Sequence, residues 1–596
     1  MSSIGFRRTH YCGNINESLI GREVRLSGWV QRARDLGGVI FIWLRDREGL
    51  VQLVFDAAVC GSGCFALGGS LRSEYVVSIE GEVRARAPET VNKSLPTGAV
   101  EVFVKRAVLL NESETPPIYI DDKADENETV RLKFRYLDLR RASLREVIRL
   151  RHRVVKAIRA HFDENGFIEI ETPILTKSTP EGARDYLVPS RVHSGQFYAL
   201  PQSPQIYKQL LMLAGFDKYY QIARCFRDED SRSDRQPEFS QLDMEMSFVE
   251  PVDVQSAIEG AFAAVFREVK GIELPLPLPR MTWQHAMERY GSDKPDTRFG
   301  LELTDVSDAV RGLGFPVFDA SLSAGGKVRG VNAKGLAEKL TRKELDSLAE
   351  YVKTFRASGL AWMIINPDGS VKSSFNKFLT PELKNALCAA MDAAPGDALM
   401  FVADKNSVTL KALGALRLEA AKRYGLIPPG QLNLLWVTEF PLLELNEEDG
   451  TYSAMHHPFT SAMDEDAGIL SSDPGGARAK AYDLVFNGIE MGSGSIRIHQ
   501  PDTQARMFEL LGLSDDEVTQ RFGFLLEAFK YGAPPHGGFA FGIDRLVMAL
   551  TGCESLRDTM AFPKAHNANC LMMETPSDVN AEQLAALGLK FSGNNV

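Results

Sequence analysis

Residues 224–248 have the sequence RCFRDEDSRSDRQPEFSQLDMEMSF, in which a strongly charged segment separates two stretches with strand character. Eight of the twelve residues from Arg227 to Glu238 are charged. The stretch before them is mostly apolar, and in QLDMEMSF after them apolar and polar residues alternate strictly, which is typical of a strand with two different faces. We therefore predict an antiparallel hairpin. Its charged connection, taken alone, is typical of a solvated surface loop.

Length and composition predict a multidomain globular protein. At 596 residues the chain is too long for one hydrophobic core, and we expect about three or four domains. The net charge of −11 is uneven, because residues 1–110 hold 14 Lys/Arg against 11 Asp/Glu, which permits a nucleic-acid contact there. Seven scattered cysteines, a start without an apolar signal core and the lack of a long apolar run predict a cytoplasmic protein with reduced thiols and no membrane contact.

Residues 22–110 predict a nucleic-acid-binding β-barrel. Five short alternating segments, with a Gly/Ala/Leu-rich stretch after the third, follow the order of an OB-fold. Phe41 and Trp43 share one face of the second segment, and aromatic rings beside basic groups are typical of base stacking with phosphate contact. The basic and amide residues of this pattern are Arg32, Arg34, Gln52, Arg84 and Arg86. The alternative, in which the aromatic rings fill the barrel, stays open, above all for Trp43.

Composition along the rest of the chain predicts a core that is interrupted by an insertion. A polar, acidic stretch with two prolines predicts a linker. Amphipathic helices without clustered catalytic residues predict an inserted domain. The predicted segments are an OB-fold domain at 1–111, a linker at 112–135, a first core part at 136–289, the insertion at 290–426, and a second core part with a C-terminal extension at 427–596.

Three arginines and three acids are candidates for chemistry. A charge in an otherwise apolar strand needs a partner or a ligand, and Arg227, Asp243 and Arg497 have such settings. Arg545 lies where an apolar strand turns into a helix, a place that favours anions. The acids at 483 and 490 flank a hairpin-like apolar run, and such a pair suits Mg²⁺ on a polyphosphate. Structural salt bridges and surface acids remain alternatives.

These segments resemble the three signature motifs of the class II aminoacyl-tRNA synthetases, and they are most similar to the bacterial-type aspartyl-tRNA synthetase family of class IIb. The helix and strand that end at Pro173 resemble motif 1, FRDED through PEFSQLDMEMSF resembles motif 2, and GFAFGIDRLVM resembles motif 3. TPEGARDYLVPS, LPQSPQIYKQLL, YGSDKPDTRFG, AMHHPFT and NGIEMGSGSIRIH are similar to segments of the aspartate family. The resemblance implies an α+β fold: an OB anticodon-binding barrel, a class II antiparallel-sheet core with flanking helices, and an inserted GAD domain.

The resemblance also implies a role for each matching residue. Arg227 and Arg545 would be the catalytic residues. The ATP set would be Arg227, Asp228, Glu229, Gln236, Glu490, Gly542, Ile543, Asp544 and Arg545. The aspartate set would be Glu181, Ser203, Gln205, Lys208, Arg227, Asp243, His456, His457 and Arg497. The metal set would be Asp483 and Glu490. The anticodon set would be Arg34, Phe41, Gln52, Arg84 and Glu101.

The implied activity is aspartate–tRNA ligation with ATP and Mg²⁺, by a homodimer formed through motif 1 around Pro173. The tRNA substrate is either tRNA(Asp) alone or both tRNA(Asp) and tRNA(Asn). Many non-discriminating members resemble one another in having histidine at the position of Leu36, so Leu36 favours a discriminating enzyme. The loop 87–92 departs from the expected pattern at Pro88 and Thr90, so the anticodon contacts of this loop stay open. Asparagine would be rejected because its amide would leave the buried cations Arg497 and Lys208 without a countercharge.

Other functions share part of this pattern. A catalytically inactive tRNA-binding paralogue predicts a broken motif, and the positions above all match. A class II ligase that forms asparagine would share the aspartate pocket but lack the barrel. A lysyl or asparaginyl synthetase is a nearer relative, and the cations at 208 and 497 favour an acidic side chain over either of those substrates.

Overall fold

The computed structural model describes residues 6–179, 183–230, 232–312, 314–446 and 448–590. The chain forms two compact units. The first consists of Met1–Arg151, Asp230–Gln236 and Cys553–Val579, and the second of His152–Glu229, Pro237–Gly552 and Asn580–Val596. Within the described ranges, every helix is too short or too polar to cross a membrane.

The first unit contains a closed barrel with the strand order β1-β2-β3-β5-β4. Its elements are β1 (Glu23–Asp35), β2 (Val39–Arg45), β3 (Leu50–Asp56), α1 (Ala57–Ser70), β4 (Val76–Ala85) and β5 (Val100–Asn111). This is the predicted OB order, with its helix after the third strand. Ile40, Ile42 and Leu44 are buried in the barrel, so Phe41 and Trp43 lie on the other face of β2. The question left open for Trp43 is thereby decided against core filling.

Short helices and the C-terminal extension complete the first unit. They are α2 (Glu128–Lys133), α3 (Arg135–Asp138) and the 3₁₀ turn Leu556–Thr559, and α4 (Ala142–Glu164) contains the boundary at residue 151. Arg135 is buried and pairs with Asp138 at 2.7 Å. Its other guanidinium nitrogens donate to carbonyl oxygens of the extension, including that of Met560 at 2.9 Å. These bonds satisfy a buried cation that would otherwise destabilise the fold.

The second unit is built around a mixed sheet and an inserted α+β region. Its strands are β6 (Ile168–Glu169), β7 (Leu187–Pro189), β8 (Phe197–Ala199), β9 (Lys218–Phe226), β10 (Glu238–Ser247), β11 (Arg280–Thr282), β12 (Leu303–Asp305), β13 (Lys327–Ala333), β14 (Ala361–Ile365), β15 (Val371–Ser373), β16 (Ala398–Asp404), β17 (Leu434–Thr438), β18 (Leu443–Leu445), β19 (Tyr452–Ala454), β20 (Ala481–Phe486), β21 (Ile489–Ile496) and β22 (His536–Gly542). Its helices are α5 (Gln205–Leu213), α6 (Pro251–Lys270), α7 (Trp283–Tyr290), α8 (Ser307–Val310), α9 (Pro316–Ser323), α10 (Arg342–Lys353), α11 (Pro381–Ala390), α12 (Asn406–Tyr424), α13 (Pro501–Leu510), α14 (Asp515–Phe529), α15 (Ile543–Thr551) and α16 (Ala581–Ala586).

The central sheet has the order β11-β17-β20-β21-β22-β10-β9-β6. Its strands pair antiparallel except at the two ends, where β6 runs parallel to β9 and β11 to β17. The strand that resembles motif 1, expected to end at Pro173, is shorter than that, because β6 ends at Glu169. Proline cannot donate to a strand ladder, and β6 lies at the sheet edge accordingly.

The inserted region has its own sheet, with the order β12-β13-β16-β14-β15. Both faces of this sheet are covered. Leu345, Leu348 and Leu416 belong to the apolar cluster on one face, and Phe318 and Leu383 belong to the cluster on the other. A region with two apolar clusters of its own is able to act as a structural module.

Candidate active site

The charged stretch forms the predicted hairpin. β9 and β10 pair antiparallel from Lys218 with Met246 to Phe226 with Glu238, and the Arg227 N–H donates to the carbonyl oxygen of Pro237 at 2.9 Å. The loop Asp230–Gln236 belongs to the first unit, where the Lys564 N–H donates to the Gln236 side-chain oxygen at 2.9 Å. This loop therefore packs within the first unit, and the expectation of a purely solvated surface loop is wrong.

The polar face of β10 is buried and carries a cluster of four charges. Asp243 and Glu245 are fully buried, and Lys208 and Arg497 are 2% exposed. Lys208 Nζ lies 3.1 Å from Asp243 Oδ2 and 3.3 Å from Glu245 Oε2. Arg497 donates to both carboxylate oxygens of Glu245, at 2.9 and 3.1 Å. We call these residues the charge cluster.

The neighbouring strand β22 makes room for this cluster. Gly538 pairs with Glu245 across the two strands, and a Cβ at Gly538 would lie 1.9 Å from Glu245 Oε2. Any side chain there would displace the carboxylate. Arg497 follows β21 directly, and its N–H donates to the His536 carbonyl oxygen at 2.9 Å. The backbone on both sides of the cluster is thus fixed by strand pairing.

The cluster holds its two acids in different environments. Burial raises the pKa of Asp243 to about 6, although Lys208 opposes the shift. Burial also disfavours ionised Glu245, but Arg497 and Lys208 outweigh it and lower the pKa of Glu245 to about 2. Asp243 Oδ1 is buried without a hydrogen-bond partner among the described residues. At neutral pH the four charges sum to zero, and Asp243 is the acid that takes up a proton most readily.

This pairing corrects one expectation from the sequence. The argument against asparagine assumed that Arg497 and Lys208 had no countercharge in the protein, and that assumption is wrong. Glu245 pairs with both cations, and Asp243 pairs with Lys208. Lys208 keeps donor capacity, because an ammonium has three N–H groups and Lys208 uses two of them on these carboxylates. A substrate carboxylate would therefore add a negative charge to a cluster whose two cations and two carboxylates already balance.

The two adjacent histidines serve different parts of the site. His457 is half-buried, and its ring contacts the Arg497 guanidinium and accepts the Phe459 N–H at 3.2 Å. Burial, together with the Arg497 charge, lowers the pKa of His457 well below its usual value, so its ring is neutral at pH 7. His456 Nε2 instead lies 3.3 Å from Asp483 Oδ1. Of these two histidines, His457 contacts the charge cluster and His456 contacts Asp483.

Helix α5 places three residues of the predicted aspartate set near its start. Gln205 opens the helix, its N–H donates to Ser203 Oγ at 3.3 Å, and Lys208 lies one turn further on. The Gln205 side-chain nitrogen is buried without a partner among the described residues. A buried unpaired donor is suited to a ligand acceptor. Glu181, the remaining member, lies outside the described residues.

Residues predicted for ATP flank the same sheet. The Arg227 guanidinium lies over the Phe239 ring at 5.2 Å, with its Nε buried and unpartnered within the part that the structure describes. Asp228 donates its N–H to the Arg184 carbonyl oxygen at 3.0 Å, and Glu229 follows it. At the other end, β22 runs into α15 at Gly542 and Ile543, as predicted. Those two residues, Asp544 and Arg545 form the strand-to-helix junction.

The junction is tied to both neighbouring strands. Asp544 accepts the Ser240 N–H of β10 at 2.9 Å. Arg545 Nη1 donates to the Glu490 carbonyl oxygen of β21 at 2.8 Å. An arginine in the first turn of a helix, beside free backbone N–H groups, favours an anion.

Asp483 and Glu490 lie on the paired strands β20 and β21. Burial raises the pKa of Asp483, and the nearby Glu490 charge adds to the shift. Burial opposes ionisation of Glu490 too, yet Lys294 and Arg545 lower its pKa. Among the described residues, no group of three His, Cys, Asp or Glu side chains could hold a metal ion. Two hard carboxylates nevertheless fit Mg²⁺, which takes one or two of them together with substrate phosphates.

In the first unit, the predicted anticodon residues lie on paired strands of the barrel. Arg34 pairs with Phe41, and Arg84 pairs with Glu101. The Gln52 amide donates to Glu101 at 2.8 Å. Arg86, also near Glu101, lies over the Trp43 ring at 5.2 Å. The second cation–π pair joins Arg84 to the Phe103 ring at 4.2 Å. This barrel face combines aromatic, cationic and amide groups.

Comparisons with known proteins identify the family. The model for class II tRNA synthetases (D, K and N) matches residues 127–566, and that for the OB-fold nucleic acid binding domain matches 24–110. An aspartate–tRNA(Asp/Asn) ligase of Symbiobacterium thermophilum is 55% identical, with 98% of this chain and 99% of the relative covered. An aspartate–tRNA ligase of Ruminiclostridium cellulolyticum is 53% identical, with 99% of each covered. The chain belongs to the aspartate–tRNA ligase family of class II synthetases.

Solved structures agree on the fold. A putative aspartyl-tRNA synthetase of Leishmania major is 20% identical with a TM-score of 0.59 and covers 94% of this chain and 95% of its own. An asparaginyl-tRNA synthetase of Pyrococcus horikoshii with asparaginyl-adenylate is 18% identical with a TM-score of 0.57 and covers 93% of this chain and 97% of its own. The predicted α+β class II fold with an OB barrel is confirmed, and ATP use is a property of this class.

Two residues of this site received no role from the sequence. Glu245 is two positions after Asp243 in an alternating strand, so the same pattern that indicated Asp243 could have indicated Glu245. Lys294, which contacts Glu490, lies in the quoted segment YGSDKPDTRFG. Neither its spacing nor its composition gives a local signal for that contact.

Proposed function

We propose that this chain is an ATP-dependent, AMP-forming aspartate–tRNA ligase. It activates L-aspartate as aspartyl-adenylate and transfers the aspartyl group to the 3′-terminal adenosine of tRNA(Asp). The observation that carries the proposal is the charge cluster, in which two buried cations meet the carboxylates of β10. Arg227 follows β9 in the hairpin that carries these carboxylates. A buried site of this kind suits one small anionic side chain. Similarity over nearly the full chain supports the same substrate.

The adenylation step needs positioning rather than a protein nucleophile. The α-carboxylate of aspartate attacks the α-phosphorus of ATP in line, forming the acyl phosphate bond, and the bond to pyrophosphate breaks. Arg227 holds the α-phosphate and the attacking carboxylate, and Arg545 holds the γ-phosphate of a bent ATP. These cations stabilise charge that develops in the transition state. Mg²⁺, held by Asp483 and Glu490, supplies charge neutralisation to the polyphosphate when bound.

Transfer completes the reaction. The 3′-hydroxyl of the tRNA attacks the carbonyl carbon of aspartyl-adenylate, the new ester forms, and AMP leaves with the electron pair of the broken acyl phosphate bond. Ser203, the side-chain oxygen of Gln205 and Glu181 bind the ammonium group of aspartate during both steps, which leaves the Gln205 side-chain nitrogen for an acceptor of the substrate. The remaining predicted ATP residues of the second unit, Asp228, Glu229, Gly542, Ile543 and Asp544, are proposed to surround the nucleotide. For Gln236, which belongs to the first unit, the nucleotide contact stays a prediction.

Two assays test this function. The purified protein should catalyse ATP–pyrophosphate exchange with aspartate and much more weakly with asparagine or lysine, and it should charge purified tRNA(Asp). Absence of aspartate-dependent exchange in folded protein contradicts the proposal and favours an inactive tRNA-binding paralogue. Charging of tRNA(Asn) in the same assay decides whether this tRNA is a second substrate. The names of the two relatives above leave that question open, because one is named for both tRNAs and the other is not.

Phe41→Ala is expected to weaken aspartylation of tRNA by about tenfold while leaving pyrophosphate exchange unchanged. Phe41 pairs with Arg34 on the barrel face described above, and the loss of one stacked base costs about 1–3 kcal/mol. The measurement is KM for tRNA beside KM for ATP and aspartate. Equal losses in both reactions would show that Phe41 supports folding instead of binding the anticodon.

The chain is proposed to act as a homodimer through the segment around Pro173. Ile168, Ile174 and Leu175 in this segment are 48–52% exposed, and clustered exposed apolar side chains are typical of interfaces. Ile174→Asp should therefore shift the mass measured by sedimentation equilibrium from two chains towards one. An unchanged mass would place the interface elsewhere.

A further inference from the structure

Lys294 lies in the segment 291–300, which we call the strap and which connects α7 to β12. Lys294 Nζ donates to Glu490 Oε2 at 2.9 Å. The two side chains are 44% and 31% exposed, in contrast to the buried pairs of the charge cluster. An ion pair open to solvent contributes little to stability and can exchange partners readily. Lys294 is therefore available to exchange Glu490 for an anionic ligand.

The strap is held by a buried arginine of helix α12. Arg417 Nη2 donates to the carbonyl oxygens of Asp296, Phe299 and Gly300, at 2.6, 3.0 and 3.1 Å. Its guanidinium lies 4.1 Å from the Phe299 ring and 4.9 Å from the Tyr290 ring. Three carbonyl acceptors fix the backbone of the strap beyond Lys294.

The strap is also docked on the turn that precedes Glu490. Gly488, with a φ of +79°, is so close to the strap that a Cβ there would lie 2.8 Å from the Cβ of Asp296. The Asn433 amide donates to Thr297 Oγ1 at 2.5 Å. The backbone that follows Lys294 is thus positioned by these contacts, while its ammonium group remains accessible. Such preorganisation lowers the entropic cost of binding a ligand.

Two cationic side chains, those of Lys294 and Arg545, contact Glu490. Arg545 is bonded to the main-chain oxygen of Glu490, and Lys294 to its carboxylate. A lysine ammonium is a compact charge with three donors, so Nζ has two N–H groups left when one is on Glu490. Phosphoryl transfer relies on cations at the oxygens that carry the developing negative charge. Glu490 would keep the ammonium in place before nucleotide binds.

We propose that Lys294 binds the β- and γ-phosphates of ATP, and afterwards the leaving pyrophosphate, in the adenylation step. This rests on the proposed ligase function. Its position comes from the root of the insertion through Arg417, which gives the inserted region a direct structural link to the nucleotide site. Lys294 is then a phosphate-binding residue additional to Arg227 and Arg545.

The test uses Lys294→Met in the full-length protein. Binding is measured by isothermal titration calorimetry with Mg²⁺ and without aspartate, with inorganic pyrophosphate and with AMP as separate ligands. The Kd for pyrophosphate should rise about tenfold or more, since one charge-assisted hydrogen bond is lost. The Kd for AMP, which has no β- or γ-phosphate, should stay within about twofold. In exchange assays, KM for ATP should rise and KM for aspartate should not.

Two further variants serve as controls. Lys334→Met removes a lysine with a comparable exposed partner, Asp392 at 2.8 Å in the inserted region, and should change neither constant. Lys294→Arg keeps the charge and should restore most of the pyrophosphate affinity. Unchanged pyrophosphate binding in Lys294→Met, or equal losses for pyrophosphate and AMP, would overturn the proposal.

The outcome separates this inference from the function on which it rests. If the wild-type protein shows aspartate-dependent exchange and Lys294→Met binds pyrophosphate normally, the assignment of Lys294 is wrong and the ligase function stands. If the wild-type protein fails in exchange but Lys294→Met loses pyrophosphate binding selectively, the phosphate site stands and the ligase function is wrong.

Discussion

Arg497→Ala is expected to lower kcat/KM for aspartate in ATP–pyrophosphate exchange by about a thousandfold. Arg497 is buried and bonded to Glu245 through two nitrogens, and removal of one partner from a buried pair costs about 3–5 kcal/mol. The same arginine is proposed to bind the aspartate carboxylate, so its loss removes a substrate contact and leaves Glu245 with Lys208 alone. The measurement is the exchange rate at varied aspartate concentration, with thermal unfolding followed in parallel.

A control distinguishes loss of the pocket from loss of the fold. Arg280 on β11, an edge strand of the same sheet, pairs with Glu259 of α6 at 3.2 Å, outside the charge cluster. Arg280→Ala should keep exchange close to normal. Arg497→Lys should recover only part of the activity, because lysine lacks the fork that binds Glu245 through two nitrogens. Near-normal exchange in folded Arg497→Ala would exclude the aspartate pocket proposed here.

Local patterns were sufficient for much of the fold. Strict alternation predicts the hairpin of β9 and β10, and the order of five short strands with a helix after the third predicts the barrel. Both depend on periodicity within about ten residues, where sequence and structure are tightly coupled. The transition from strand to helix before Arg545 also has a local signal, because the apolar strand pattern changes to a helical pattern within a few residues.

Contacts between distant segments could not be predicted in this way. Alternation in β10 predicts one polar face, but a polar face is normally solvated, and burial of Asp243 and Glu245 depends on α5, β22 and Arg497. The pairing of Arg497 with Glu245 joins residues 252 positions apart. Lys294 meets Glu490 across 196 positions. These are the contacts that set the charge balance of the site, and only the folded arrangement of the second unit reveals them.

The charge balance has a consequence for substrate binding. Three groups act on Asp243 through their charge: Lys208, Glu245 and Arg497. An aspartate carboxylate added to the balanced cluster would raise the pKa of Asp243 further above about 6. Binding should therefore take up a proton, and affinity for aspartate should increase as pH falls from about 8 to about 6. Below that range Asp243 is already protonated, and the effect ends.

Glu245→Gln is expected to lower kcat/KM in exchange by about a hundredfold and to change this pH dependence. The glutamine amide presents N–H donors where Arg497 and Lys208 need acceptors, so both cations lose their orientation, at a cost of about 3 kcal/mol. Because the Glu245 charge contributes to the raised pKa of Asp243, its removal should move proton uptake to lower pH. Calorimetry of aspartate binding in two buffers of different ionisation enthalpy measures that uptake.

The free energy of unfolding of Glu245→Gln is an independent test of the role of Glu245. The pKa of Glu245 is about 2 in the folded protein, below its ordinary value, so its ionised form stabilises the fold above about pH 4.5 and this contribution is lost as pH falls towards 2. The variant should therefore be less stable than the wild type at pH 7, by about 3 kcal/mol, with the difference shrinking in acid. An unchanged pH profile for aspartate binding together with lower stability would make Glu245 a structural residue only. A shifted profile would show that it sets the charge state of the aspartate pocket.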